Sequence, residues 1–459
     1  MNHRLICLSG VAGLALLIAC PAAAQDTSAL EQRLTAMESE MSALRAELAR
    51  LKAENAAVEA KVQEARLLAA RPPEPVRTAE ATKPPEAAKP VDGFKSGDTT
   101  IKIGGFIKTT ALFSRYDSGD LASGSLGRDF YLPSQIPVGG VREHTDSDFV
   151  AKQTRLTLSF TGASGVGGYI EGDFQTTPGS GSERTTNGYN FALRRAYATY
   201  GNWLFGQDWT TFQNVAVLPE STDFVGPTEG TVFVRQPQVR YTKKFTDGYT
   251  LAVALENPET ASITPTSATM VENDDDRVPD VTARLNISKP FGDFAIAVLA
   301  RQLAVDNGAV GDTATGYGAS LSGKVPFGEK KQHDVRFMLT GGEGIGRYVG
   351  LNFAPDVVYA GTTGTKMETV SLTSGFVAVK VGWTARLRST FAASFLEADY
   401  PVGSPAAASK SAQSLAANLF FTPAKGLDLG VELRAGEREL VNGQKGRLDR
   451  IELAAKYAY

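Results

Sequence analysis

Histidine, cysteine and arginine are the residues here whose types and placement bear on chemistry, and each narrows it differently. Histidine occurs only at His3, His144 and His333. A hydrolase built on a Ser–His pair needs a histidine beside an activated serine, and neither His144 nor His333 has such a motif around it. No enzymatic activity is expected. Cys7 and Cys20 both fall within the first twenty residues, so the rest of the chain has no disulfide, thiol nucleophile or CxxC zinc site. The acidic run Glu272-Asn273-Asp274-Asp275-Asp276 lacks the spacing and terminal Glu of an EF-hand. It reads as a solvated tip or a bridge to lipopolysaccharide-bound cations, and no metal or cofactor is expected.

Arginine is different. Arg155, Arg240, Arg284, Arg336, Arg386, Arg388, Arg434 and Arg450 recur on the polar side of segments whose other side is apolar. Arg194-Arg195 must send at least one side chain the same way, and alternation does not say which. Cationic side chains facing a lumen attract anions without reacting with them. The bland reading is that they brace the wall against acids of the same face: Glu171, Asp173, Asp280, Glu432 and Glu452. With 47 Lys+Arg against 50 Asp+Glu, the net charge of −3 argues against a nucleic-acid partner.

The elements that must position these arginines are strands. From Ile101, Ile103 and Ile107 to Ile451, Leu453 and Tyr457 the pattern has period two, and about sixteen such segments follow one another. They include 149–161, 190–200, 292–303, 384–398 and 446–459. Their connections alternate short and long, the long ones including 115–148, 177–189, 209–231, 258–278 and 344–367. Beyond the first residues no stretch approaches the roughly 20 apolar residues of a spanning helix. The expected fold is an all-β transmembrane barrel over 96–459, up-and-down and antiparallel, with apolar faces toward lipid. Chain termination on Tyr459 resembles the carboxy-terminal signal of outer-membrane barrels. The third long connection, with Trp209, Phe212, Asp223 and Phe224, is too apolar for a freely solvated tip; it is expected to fold inward as a constriction facing arginines on the opposite wall.

Ahead of the barrel, residues 1–24 read as a signal peptide cleaved after Ala24, with lipidation of Cys20 as the other possibility. Residues 28–70 show a heptad: Leu34, Met41, Leu48, Asn55 and Val62 at a, with Leu30, Met37, Leu44, Leu51 and Val58 at d. Asn55 fixes register, and Arg33 with Glu38 forms the first charge pair across a parallel seam. Arg33-Leu34-x-x-Met37-Glu38 is similar to a trimer-favouring motif. Residues 71–95 form a Pro/Ala/Glu-rich linker. The α-helical coiled coil is therefore expected to stand in the periplasm.

Coiled coil, linker and barrel in that order, with Ile101-Lys102-Ile103-Gly104-Gly105-Phe106 opening the barrel, resemble the DcaP-like trimeric outer-membrane porins. Leu193-Arg194-Arg195-Ala196-Tyr197, Gly206-Gln207-Asp208-Trp209, Arg235-Gln236-Pro237-Gln238-Val239-Arg240-Tyr241 and Val278-Pro279-Asp280-Val281-Thr282-Ala283-Arg284 match in the same order. The resemblance implies a homotrimer in the outer membrane, in contact with lipid and lipopolysaccharide, passing small anions with dicarboxylates among them. It also implies lumen positions for Arg194, Arg235, Arg240 and Arg284, although plain alternation places Arg235 opposite Arg240 unless a bulge intervenes. Two other functions fit the residues: a structural barrel tethering the membrane through its coiled coil, and a phosphate-selective porin, for which 209–231 lacks any lysine.

Overall fold

The computed structural model describes residues 93–176 and 186–459. The expected signal peptide, the coiled coil with Arg33, Glu38 and Asn55, and the linker up to residue 92 lie outside the described residues.

Sixteen antiparallel strands close into a barrel. They are β1 (Thr99–Tyr116), β2 (His144–Val150 continued by Arg155–Thr161), β3 (Val166–Asp173), β4 (Ala192–Tyr200), β5 (Trp203–Trp209) and β6 (Arg235–Lys244). Then come β7 (Tyr249–Glu256), β8 (Asp280–Lys289), β9 (Gly292–Asp306), β10 (Gly311–Phe327) and β11 (His333–Glu343). The last five are β12 (Ser371–Gly382), β13 (Leu387–Asp399), β14 (Ser409–Ala424), β15 (Leu427–Leu440) and β16 (Lys445–Ala458). Closure is made by β1, bonded to β2 on one edge and to β16 on the other, from Phe106 opposite Ala458 to Tyr116 opposite Leu448. A closed sheet leaves no row of unpaired edge amides, which is what hydrocarbon demands.

Period-two alternation sets which way each residue points. Val239, Val253, Leu255, Ile296, Val298, Leu433, Ile451 and Leu453 stand exposed on the outer face. Exposed aromatics, among them Tyr200, Trp203, Phe245, Phe291, Phe327, Trp383 and Tyr457, gather beside the short turns at one end, as an interfacial belt does. The longer connections leave the other end, and two of them, 257–279 and 344–370, share a small four-stranded sheet.

The inner face departs from a uniformly polar wall. Leu299, Met338, Leu372, Phe376 and Leu396 point inward and are buried with Phe212, Val217 and Val232 of the connection 210–234 and with Ile345, Tyr348 and Phe353 of 344–370. Both connections therefore fold into the barrel, and part of its interior is a packed apolar core. The long connection 344–367 is largely buried, because its Ile345, Tyr348, Val349 and Phe353 find wall residues to cover.

Two bulges re-aim side chains. Between Val150 and Arg155 the β2 pairing with β1 breaks, turning Lys152 and Gln153 inward to Asp129 and Lys108. In β4, Glu171 pairs with Arg195 and Gly172 with Leu193, so Arg194 is the extra residue. The two consecutive arginines consequently both face inward.

Candidate functional site in the barrel lumen

The inward loop 210–234 is held at successive points around the wall. Thr211 N–H donates to Glu256 of β7 at 2.7 Å, and Asn214 Nδ2 donates to Ser322 of β10 at 3.0 Å. The Gln213 carbonyl accepts from Arg284 of β8 and the Leu218 carbonyl from Arg336 of β11. Glu220 accepts from Arg388 of β13 at 2.6–2.9 Å, Thr222 N–H donates to Glu432 of β15 at 3.1 Å, and Lys108 of β1 donates to the Thr222 carbonyl. Asp223 then turns the chain: one oxygen accepts the Val225 and Gly226 amides at 2.9 Å each, the other accepts the Tyr131 amide at 2.6 Å. On the return leg Gly230 lies against β12, where a Cβ would sit 2.3 Å from the Gly375 carbonyl oxygen. Burial holds the Glu229 carboxyl above its ordinary range, and Ser394 donates to it at 2.8 Å.

This geometry corrects the expected arrangement of loop and arginines. Arg284, Arg336 and Arg388 do not stand across from the loop; they bind it. Their inward direction follows from strand parity, but whether a loop lies over them depends on the connection's path. Phe212 is a core residue, edge-on to Tyr348 with ring centres 5.9 Å apart, and Asp223 is buried. Trp209 and Phe224 do reach the open side, as platforms for Arg194 at 5.9 and 5.2 Å. Arg434 is buried, paired with Glu432 at 2.7 Å and stacked on Tyr131. Arg386 is exposed in the turn 383–386 rather than on a strand, because the hairpin closes with Trp383 N–H on the Leu387 carbonyl.

Among the described residues the outbound leg makes no hydrogen bond to β2–β4. Together with β6 these strands bring Arg155, Arg194, Arg195, Arg235 and Arg240 together, whereas Arg450 of β16 is buried and donates to the Gly127 carbonyl. Arg194 is clamped by Glu171 and Asp173, both at 2.8 Å. Arg155 reaches Asp173 at 3.1 Å, Arg195 reaches Asp208 at 2.6 Å, and Arg240 meets the other oxygen of Asp208 at 2.7 Å. Within these pairs exposure is unequal. The Arg155, Arg195 and Arg240 side chains keep 21, 21 and 18 % of their surface, while Glu171, Asp173 and Asp208 keep 6, 1 and 4 %. Arg235 lies with its guanidinium 5.2 Å from the Trp209 ring and 5.8 Å from Phe233; no bulge interrupts its pairing, and its place at the start of β6 lets it fold over these rings.

Sequence reasoning missed Arg301. On β9 it is fully buried, 3.0 Å from Asp356 and 3.4 Å from Asp280, and it also bonds the Gly344 and Glu259 carbonyls. At the mouth, His144 Nε2 lies 3.3 Å from Asp120 and 3.2 Å from Asp146, a trio that converges closely enough for a cation, but Arg128 already neutralises Asp146 at 3.1 Å.

The Glu220–Arg388 contact is the most exposed latch on the loop. Glu220→Gln should weaken it by about 1 kcal/mol and raise the open-channel noise of single-channel recordings; noise equal to the parent's would show that the other anchors suffice.

Residues 141–459 match the family model described as DcaP outer membrane protein. The chain belongs to that family. Among solved structures it is similar to the outer membrane channel DcaP of Acinetobacter baumannii, at 26 % identity and a TM-score of 0.65 over 80 % of this chain and 100 % of that one. It is also similar to OmpT of Vibrio cholerae, at 11 % identity and a TM-score of 0.48 over 80 % of this chain and all of that one. No curated protein matches. Family and fold make the chain an outer-membrane porin barrel, and nothing in either indicates catalysis.

Proposed function

We propose that this porin is a passive diffusion channel for small hydrophilic solutes with a preference for anions, dicarboxylates among them. The observation that supports it is the unequal exposure within the β2–β6 ion pairs: guanidinium groups face the lumen and their carboxylates lie behind them. Arg155, Arg195, Arg240 and Arg235 then line the path, and Arg194 braces them. The pairing acids reduce the field without abolishing it, because a solute meets the cation first. Anchored to the wall, the loop 210–234 sets the width of the path. Short turns face the periplasm and long connections the exterior, as in other outer-membrane barrels. The heptad supports a homotrimer with its coiled coil in the periplasm, surrounded by lipid and lipopolysaccharide.

Purified protein in planar bilayers under a salt gradient tests the reading. A reversal potential toward the anion's equilibrium value is expected. Cation preference would keep the channel and remove the solute assignment. Absence of conductance would instead favour a structural barrel, consistent with the apolar core that fills part of its interior.

A further inference from the structure

At the long-loop end a separate cavity of about 280 Å³ opens among four connections. Its cation is Arg438, near the end of β15. Nε and Nη2 donate to Ser409 Oγ at 3.1 and 2.7 Å, and Nη1 donates to the Ile136 carbonyl at 3.1 Å. A guanidinium carries five N–H groups, so these three bonds leave two undirected. Among the described residues none of its bonds goes to a carboxylate.

The cavity wall is more apolar than polar, with Ile263, Ala268, Met270 and Pro355 against Ser134 and Tyr400. One amide shares it. Asn352 has a buried Oδ1 with no hydrogen-bond partner. Its backbone is held at a cost, since Gly350, Leu351 and Asn352 have φ of 64, 57 and 58° in succession, and two of these are not glycine. An Asn amide can exchange its oxygen and nitrogen by rotation and so present a donor instead.

We propose that this cavity binds a small organic monoanion with an apolar tail, its carboxylate on Arg438 and Asn352 and its tail against Ile263, Met270 and Pro355. The pairing of one cation with an apolar far wall selects this class. A second carboxylate would be buried there without a partner, which is unfavourable. The volume lies near the lower end for ligand cavities, about 300–1,000 Å³, and suits a tail of roughly five carbons. None of the lumen arginines lines this cavity. Its occupancy does not depend on whether the lumen conducts, so binding is the readout.

The probe is hexanoate, titrated against the full-length protein in lipid nanodiscs with empty nanodiscs as blank and hexanol and adipate as comparisons. Saturable binding of one hexanoate per chain is expected, at least about tenfold tighter than either comparison, because hexanol lacks the charge and adipate buries a second one. Arg438→Gln should weaken hexanoate at least about tenfold. Because Arg438 also braces Ile136, Ala268→Phe provides the second test: Ala268 lines the cavity and takes no part in the arginine's hydrogen bonds, so a ring there should fill the space and abolish binding. Absence of saturable binding, adipate binding as tightly as hexanoate, or parental affinity in Ala268→Phe would each overturn the site.

Discussion

Arg301→Met is expected to cost the barrel about 3–5 kcal/mol, the usual penalty for removing one partner of a buried ion pair. Arg301, Asp280 and Asp356 are all fully shielded from solvent. Methionine fills comparable space but leaves two carboxylates facing each other without their shared cation. Arg347 lies 3.7 Å from Asp280 and cannot replace contacts at 3.0 and 3.4 Å together with the bonds to Gly344 and Glu259. Asp356 meanwhile accepts the Ala261 and Arg347 amides, at 2.9 and 3.0 Å, and so ties the 257–279 and 344–370 connections together. Losing the guanidinium should therefore loosen both before the strands separate. Urea unfolding in detergent gives the total, and limited proteolysis within 344–370 reports the local part. A cycle with Asp356→Asn separates charge from packing: the double variant should recover part of the loss, because one of the two unpaired buried charges is removed while an amide oxygen still accepts from the backbone. A single-variant cost below about 1 kcal/mol would show that water or a relaxed backbone solvates the acids.

Why Arg301 escaped a reading of the sequence is instructive. Most of the strands were legible because lipid imposes an apolar outer face and water a polar inner one, so parity could be read from Ile451 and Leu453 against Arg450 and Glu452. On β9 that contrast vanishes. Ala295, Ala297 and Leu299 face inward beneath the plugging connections while Ile296 and Val298 face outward. Both faces are apolar, and nothing marks Arg301 as an inward residue. The Arg194-Arg195 pair was undecidable for another reason: a one-residue bulge is a property of two strands in register and leaves no local trace in either. The inward course of 210–234 was visible in its aromatic content, whereas the wall that anchors it was not, because Glu220 and Arg388 are 168 residues apart.

The triple variant Arg155→Gln, Arg195→Gln, Arg240→Gln should lower the anion-to-cation permeability ratio by roughly tenfold at low salt. A unit charge about 12 Å from the permeating ion, at an effective dielectric constant of about 20, contributes about 1.4 kcal/mol, which is a factor of ten. Three charges are removed and Glu171, Asp173 and Asp208 gain weight once uncovered, which acts in the same direction; screening by ions is what holds the net effect near tenfold. The salt dependence follows from the same account. With a Debye length of about 10 Å at 0.1 M and about 3 Å at 1 M, parent and variant should differ strongly in dilute salt and nearly converge in concentrated salt. Arg194 is left in place so that Glu171 and Asp173 keep a buried partner at 2.8 Å, and glutamine is chosen because its amide can still donate to Asp208, which loses both of its arginines. Reversal potentials at both salt levels give the ratio, and the single-channel conductance of the variant checks that the path is still open. An unchanged ratio at 0.1 M, with conductance intact, would mean that these guanidinium groups only brace the wall and that the selectivity of the lumen is set elsewhere.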